Sequence, residues 1–460
     1  MTQKIPGPPA IPLLSPYINF LPLARYPAQH LRHLHHTYGD IVSLARGTTR
    51  YVLVFSPGLI QTVLSKPALF HVASPDEGPP IRLIPNTPLY RLFANGLNQM
   101  NEPRHQQHRR IMQPAFHKQI LANYRQRIIT QTETHIAAWQ QGQTISLLPQ
   151  MRTLTASIAI DIFLGLNPHT AGTPIRQLLT TFMDTIFSPP IFLFPFNIPA
   201  TPYRRLLHTA AQLETFLQDL ITQKRASMTA AEPSADLLAT LLTLHDEDGT
   251  QMTDAELVGQ TATLFIAGHE TTATALTWTL FLLAQHPAIY HELMQDLSAP
   301  LLNAIIKESL RLLPPLFFQV RNTNQPVTLG PHHIPAHSMI GFSSLITHRH
   351  PTIFPNPQTF NPHRWLDTPN PSPYAYFPFS AGPRLCLGAP FATLELETIL
   401  PLILQKFRPM PLPQTHIDLA GFGFLIPKGD LPMRLHPPQT TVPIPTITGQ
   451  INDWLDLPSI

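Results

Sequence analysis

A single cysteine, Cys386, occurs in 460 residues, which excludes an intramolecular disulfide framework and leaves the redox compartment to other signs. Charge is also scarce. Asp, Glu, Lys and Arg make up 12% of the chain, against a usual share of about 25%. The net charge of +3 is too small to argue for a nucleic-acid partner. The first residues, Met1-Thr-Gln-Lys-Ile-Pro-Gly-Pro-Pro9, show neither a signal-peptide apolar region nor a membrane anchor. One long apolar stretch, Leu257 to Ala284, contains His269 and Glu270, which are expensive in lipid, so a buried helix is expected there. No Gly-rich dinucleotide signature is found.

Against these absences stand 43% apolar residues, ample for a large core, and 53 prolines, more than twice the usual ~5%. Glutamine, threonine and histidine replace charge on the expected surface. Tyr38-Gly-Asp-Ile-Val42 and Tyr51-Val-Leu-Val-Phe55 read as a small β unit. Helical periodicity dominates residues 105–285, broken at Pro189-Pro190 and the Phe/Pro-rich run to Pro199. Short strands and proline turns follow over 317–360, helix after Cys386, then strands near 417–436. There is no internal repeat and no clean linker. The expectation is one mainly α domain over 1–460 with a small β subdomain. A proline-rich extended lead-in (1–37) and a Pro/Thr-rich, poorly ordered tail (437–460) flank it.

The cysteine sits in Phe379-x-x-Gly382-x-Arg384-x-Cys386-x-Gly388. A lone cysteine is most often a small buried hydrophobe. Here two glycines permit special backbone conformations or close approaches, and Arg384 offers a planar fork for a carboxylate. A helix is expected after Gly388, with Pro390 in its first turn. Orphan N–H groups and the helix dipole then favour a thiolate. A thiolate beside an arginine suited to a propionate describes an axial ligand to haem iron.

This loop resembles the haem-binding signature of the cytochrome P450 family, the haem-thiolate monooxygenases, and the resemblance extends from about Tyr38 to Leu435. It implies haem b (iron protoporphyrin IX) held between a long central helix and the Cys386 loop and helix, with Cys386 as the metal ligand. Phe379, Gly382, Arg384 and Gly388 belong to that loop. In Arg104-His-Gln-Gln-His-Arg-Arg110, His105 stands where many members have tryptophan, and Arg109 matches a propionate-binding arginine. Arg321 matches another such position, and His348 is a weaker candidate. Membrane-bound members carry an anchor ahead of a similar proline-rich segment. The resemblance therefore points to a soluble, bacterial-type, cytoplasmic protein.

Thr253-Asp-Ala-Glu256 forms a capping box for a helix running to about Gln285, ahead of His286-Pro287. Its middle, Ala267-Gly-His-Glu-Thr-Thr272, buries an acid that must be paired or protonated. Hydroxyls beside a glycine can open the helix ladder to water. One reading is a Glu–Thr pair satisfied by a distant loop. The other is proton delivery, and the resemblance to the family's oxygen-activation motif assigns that role to Glu270 and Thr271. His269 falls at a variable family position and is expected to pack.

Glu308 and Arg311 lie three apart on one helix face. Alone they would read as a solvated surface bridge. With Phe360-Asn-Pro-His-Arg-Trp365 downstream they resemble the family's Glu-x-x-Arg helix and its arginine partner, which implies a Glu308–Arg311–Arg364 network for folding and haem retention. The resemblance draws substrate-pocket residues from Leu264, Ala267, Leu316, Phe317, Phe318 and the turn Gly421-Phe422, and places 187–199 in a lid. These residues are predominantly apolar and imply a fatty acid, terpenoid or polyketide-like substrate. An Ile191-Phe192-Phe194 patch is a candidate membrane contact.

Residues 104–132 hold five arginines, one lysine and no acid, either a solvated basic face or a docking face for an acidic electron carrier. The implied supply is a ferredoxin or flavodoxin with its NAD(P)H-dependent reductase, and O2 is the co-substrate. The cluster His30, His33, His35 and His36 lacks cysteine or acidic partners at zinc spacing. The link between Leu297 and Leu302 is much shorter than the family norm. Peroxide use, substrate isomerisation and non-catalytic haem binding are the competing functional readings.

Overall fold

The computed structural model describes residues 4–9, 17–46, 48–72, 83–186, 191, 196–228, 236–297, 300–367, 370–421 and 423–458. Its axis is the central helix Asp254–Gln285, opened by the capping box of Thr253 and Glu256 and closed at His286 before Pro287. Apolar side chains on nearly every face bury it, as a helix crossing a core requires. Its most extensive neighbour is helix Leu147–Leu164. That helix ends on Gly165, whose φ of 65° and close approach to Asp236 exclude a side chain. Among the described residues it alone is long and apolar enough to cross a membrane, and 72% of its apolar window is buried in the fold.

A second wall is helix Ala389–Lys406, which starts directly after the cysteine loop and packs on helix Lys118–Ile136. Phe391, on its first turn, meets Phe163 at 5.1 Å and Tyr124 at 6.3 Å between ring centroids. The long helix Pro202–Ser227 crosses the central helix and packs beside helix Thr173–Ile186.

The β residues near the start of the chain and those after Pro315 form one sheet. Its order is Ile41–Ser43, Tyr51–Val54, Met339–Ser343, Phe318–Thr323, Phe70–His71. Tyr51–Val54 runs parallel to Met339–Ser343, and the other pairs are antiparallel. A three-stranded sheet joins Thr144–Ser146, Pro432–His436 and Arg408–Pro411. Two-stranded pairs form from Leu419–Ala420 with Ile426–Pro427 and from Val327–Leu329 with His332–Ile334.

Two segments differ from the sequence expectation. The lead-in is extended only at its start, where Ser43 and Arg46 donate to the carbonyls of Pro6 and Pro8. Helices Tyr17–Arg25 and Pro27–Tyr38 then form, because Pro27 suits a first turn and Ala28, Leu31 and Leu34 present one buried face. The tail is packed along the body of the fold. Ile447, Ile451, Trp454 and Leu455 are buried, and Arg408 donates to the Thr440 carbonyl at 2.7 Å. The Arg32 and Arg349 guanidiniums lie 4.7 and 5.2 Å from the Trp454 ring centroid. Composition suggested disorder there, but a few well-placed apolar anchors decide otherwise. Helices Pro287–Gln295 and Leu301–Leu312 follow one another across the short link, of which residues 298 and 299 lie outside the described set.

The Glu308 network is buried rather than solvated. Arg311 donates to both carboxylate oxygens at 2.8 Å, Arg364 donates at 3.0 Å, and the Trp365 indole N–H at 2.9 Å. The Asn361 amide adds a bond at 3.0 Å, and Arg311 spends its remaining donors on the carbonyls of His348, Pro357 and Thr359. Burial pushes the Glu308 carboxyl up, but the hydrogen bonds and charges of Arg311 and Arg364 outweigh it and hold it below the usual range. Removing the charge strands Arg311, which has no exposed surface, so Glu308→Gln is expected to cost about 3–5 kcal/mol in urea unfolding at pH 7. The folded carboxyl sits below its unfolded value of about 4.3, so this contribution is complete at neutral pH. It is lost as pH falls through the lower folded value, and the gap between wild type and variant should close in acid.

Candidate functional site

The cysteine loop, the central helix, the edge of the five-stranded sheet and helix Arg104–Met112 enclose a cavity of about 570 Å3. Cys386, Phe379, Arg384 and Gly388 line one side. The Cys386 amide donates to the Phe379 carbonyl at 2.8 Å, which folds the loop back on itself. Gly382 stands behind the cavity. Its φ is 71°, and a Cβ there would lie 2.6 Å from the Leu64 carbonyl oxygen. Gly388 has an ordinary φ of −83°, so its backbone alone does not require glycine.

The Cys386 thiol has accessible surface, and that surface faces the cavity. Burial pushes the thiol up, opposed by the amides of Gly388 and Ala389 and by the Arg109 charge. The sequence expectation of a thiolate favoured by the helix start is therefore only half met: the amides are in place, but desolvation outweighs them. A bound metal ion reverses that balance, because coordination deprotonates a thiol.

Arg109, Arg321 and Arg384 also line the cavity. Arg109 donates to the Leu385 carbonyl at 2.7 Å, Arg321 to the Val320 carbonyl at 2.7 Å, and Arg384 to the Met100 carbonyl. Among the described residues none of the three forms an ion pair with a carboxylate, and the buried Arg384 Nε has no partner. Burial lowers Arg321 to about 9 and Arg384 to about 10. His105 completes this rim. Its Nδ1 lies 3.1 Å from Glu102, and burial, then the Arg384 charge, lowers it to about 4, so it is neutral at pH 7. Three cations with no ion pair among the described residues, an orphaned guanidinium N–H and a cavity-facing thiol fit one ligand that carries two carboxylates and a thiophilic metal. Haem has that donor set.

The opposite wall comes from the central helix. Leu264, Ala267, Gly268, Thr271 and Thr272 line the cavity, and the Thr271 hydroxyl donates to the Ala267 carbonyl at 2.7 Å. Glu270 does not line it. The helix turn points its carboxylate to helix Leu147–Leu164, where Arg152 Nε donates to its two oxygens at 3.0 and 2.9 Å. His269 is buried with Nδ1 3.0 Å from the Phe265 carbonyl. Leu316 lines the cavity, but Phe317 and Phe318 are core residues. Phe318 packs on Gly341, while Gln319, Val320 and Arg321 line the cavity. Phe422, Phe192 and Phe194 lie outside the described residues, and Ile191 is buried rather than exposed. His348 is away from the cavity, accepting from the Phe377 amide at 2.9 Å.

Sequence reasoning missed several residues. Gln260 accepts from the Leu97 amide at 2.9 Å and donates to His108 at 3.2 Å, pinning the loop that carries Asn98 and Gln99 into the cavity. Its signal was an amide side chain on a helix otherwise apolar or threonine-rich in that turn, two turns before Ala267. Arg152 is the one basic residue on helix Leu147–Leu164. The run of arginines is partly paired. Arg104 pairs with Glu256 at 3.0 Å, Arg110 with Glu247 at 3.6 Å and Arg127 with Asp161, while Arg109 faces the cavity. The acids that answer them come from distant segments. Near the N-terminus His35 lies 3.1 Å from Asp40, and His30 stacks on His33.

The family model described as Cytochrome P450 matches residues 5–431. Cyclooctat-9-en-7-ol 5-monooxygenase of Streptomyces melanosporofaciens is 30% identical over 94% of this chain and 95% of its own length. Cyclooctatin synthase of the same organism is 30% identical over 86% of this chain and 88% of its own. Among solved structures, retinoic acid bound cyanobacterial CYP120A1 superposes with a TM-score of 0.80 at 24% identity, covering 95% of this chain and all of that one. The fold, the cavity chemistry and these relatives agree: the chain belongs to the cytochrome P450 family and is a haem-dependent monooxygenase.

Proposed function

We propose that this enzyme inserts one oxygen atom from O2 into a C–H bond or alkene of a hydrophobic substrate, the second atom leaving as water. The observation that carries this reading is one mostly apolar cavity bounded by a thiol, three guanidiniums with no ion pair among the described residues and a hydroxyl on the facing helix. Haem b, when bound with Cys386 as thiolate, supplies an electron-rich iron suited to O–O cleavage. Arg109, Arg321 and Arg384 hold its propionates, with His105 beside them. Phe379, Gly382 and Gly388 shape the loop that presents the sulfur. Glu308, Arg311 and Arg364 keep the scaffold behind it rigid.

On the substrate side, Leu264, Ala267 and Leu316 exclude water, and the walls suit a fatty acid, terpenoid or polyketide-like molecule. The relative named for an alkenol substrate supports the terpenoid member of that set. The Thr271 hydroxyl holds a proton or a water at the cavity wall. Glu270, one residue earlier, faces away from the cavity to Arg152, whose side chain is 37% exposed, and we assign it the solvent-side end of the proton path. Electrons come from a ferredoxin or flavodoxin served by an NAD(P)H-dependent reductase, since the chain has no nucleotide signature of its own. A cytoplasmic setting, with reduced nicotinamide at hand, suits that supply.

Cys386→Ser is expected to abolish the thiolate-type spectrum of the reduced CO complex; an unchanged spectrum removes the ligand assignment. Thr271→Ala is expected to lower product formed per O2 consumed by about tenfold or more while substrate-induced spectral shifts persist. Tight coupling in that variant removes the relay role. With Arg104, Arg110 and Arg127 already paired, electron transfer should change less than about twofold between low and physiological ionic strength. Steep slowing in salt would restore the basic docking face.

A further inference from the structure

Glu395 is an acid for which the reaction above has no use. It sits on helix Ala389–Lys406 with 1% of its surface exposed, facing the central helix. Its Oε2 lies 3.0 Å from Thr272 Oγ1, and Thr272 Oγ1 lies 3.0 Å from the Gly268 carbonyl oxygen. Among the described residues no arginine, lysine or histidine pairs with it. Burial therefore pushes its carboxyl well above the usual range, with the Thr272 contact opposing only in part. A neutral carboxyl has one O–H to give, and a threonine hydroxyl also has a single proton. Both contacts of Thr272 are satisfied in one way: Glu395 O–H donates to Thr272 Oγ1, and Thr272 O–H donates to the Gly268 carbonyl.

The turn that receives this chain of bonds is the one facing Cys386 across the cavity. Thr271 donates to the Ala267 carbonyl and Thr272 to the next carbonyl, so two successive hydroxyls draw on the ladder at the same place. Such back-bonding loosens and bends a helix unless something holds it. On its other side the turn packs directly on Phe163, where a Cβ at Gly268 would lie 2.9 Å from the ring.

We propose that Glu395 is a positioning residue: through Thr272 it ties the Ala267–Thr272 turn to the helix that begins at the cysteine loop, and so fixes where the Thr271 hydroxyl stands. This rests on the role given to Thr271 above. A buried acid kept only for stability behaves differently, because replacing such a group by an apolar one of similar size is often neutral or stabilising.

The test compares Glu395→Leu, Glu395→Gln and Thr272→Val in the haem-loaded enzyme, measuring haem content, thermal midpoint, product per O2 and hydrogen exchange of the 267–272 amides. Glu395→Leu should keep full haem and an unchanged or higher midpoint, yet lose about fivefold in product per O2 and raise exchange in that turn. Glu395→Gln, whose amide can donate to Thr272, should restore both. It should also remove a protonated-carboxyl infrared band present in the wild type. Thr272→Val should match Glu395→Leu, and combining the two should add nothing, which keeps the test decisive if the leucine variant folds poorly. Wild-type exchange and coupling in both Glu395→Leu and Thr272→Val, or a glutamine variant no better than leucine, would overturn the proposal. If Thr271→Ala itself leaves coupling intact, the relay reading fails alone, and amide exchange still decides whether Glu395 holds the turn.

Discussion

A guanidinium withdrawn from water is costly unless an anion meets it, and this chain brings Arg109, Arg321 and Arg384 to one cavity wall with no ion pair to a carboxylate among the described residues. Much of the architecture can be understood from that imbalance. Arg321 arrives on the sheet strand Phe318–Thr323, Arg384 on the cysteine loop and Arg109 on helix Arg104–Met112, three segments far apart in sequence. Each is held by backbone carbonyls that orient the fork without neutralising it. The charge is left for a ligand with two acids of its own. Cys386 stands beside it as the one thiol in the chain.

The Glu308 cluster shows the opposite solution to the same difficulty. There Arg311 and Arg364 share one carboxylate that also accepts from an indole and a backbone amide, so every strong group is satisfied. A saturated network makes a rigid support, and an unsaturated one makes a binding site. The two lie on either side of the same scaffold, and neither could exchange roles with the other.

The cysteine loop stood out in the sequence because a glycine, an arginine and a helix start lie at fixed offsets from the one thiol, and the structure sets that thiol on the cavity wall. The central helix was equally plain from its capping box and unbroken apolar faces. The direction of Glu270 was not legible. Adjacent residues on a helix point about 100° apart, so naming Glu270 with Thr271 joins two side chains that the turn sends to different neighbours. Arg152, the partner that decides the matter, is 118 positions away. Phe317 and Phe318 belong to the pocket by resemblance, yet both are buried in the core and the cavity is lined by Gln319, Val320 and Arg321 that follow them. The arginine run read as a free face because its acids lie elsewhere in the chain. Composition failed at the termini, where Leu31, Leu34, Ile451 and Trp454 outweigh the prolines around them.

Trp454 has a further bearing on how the ends of the molecule behave. Arg32 from the second helix and Arg349 from the loop after the sheet both rest on its ring, and Asp453 and Asp456 accept from Arg32 and Thr359. Proteolytic trimming of the last few residues would therefore not be a silent loss of a loose end. Loss from Trp454 onward would take from Arg349 the Trp454 carbonyl to which it donates at 3.0 Å, and release Arg32 of the second helix from its far anchor in the same stroke.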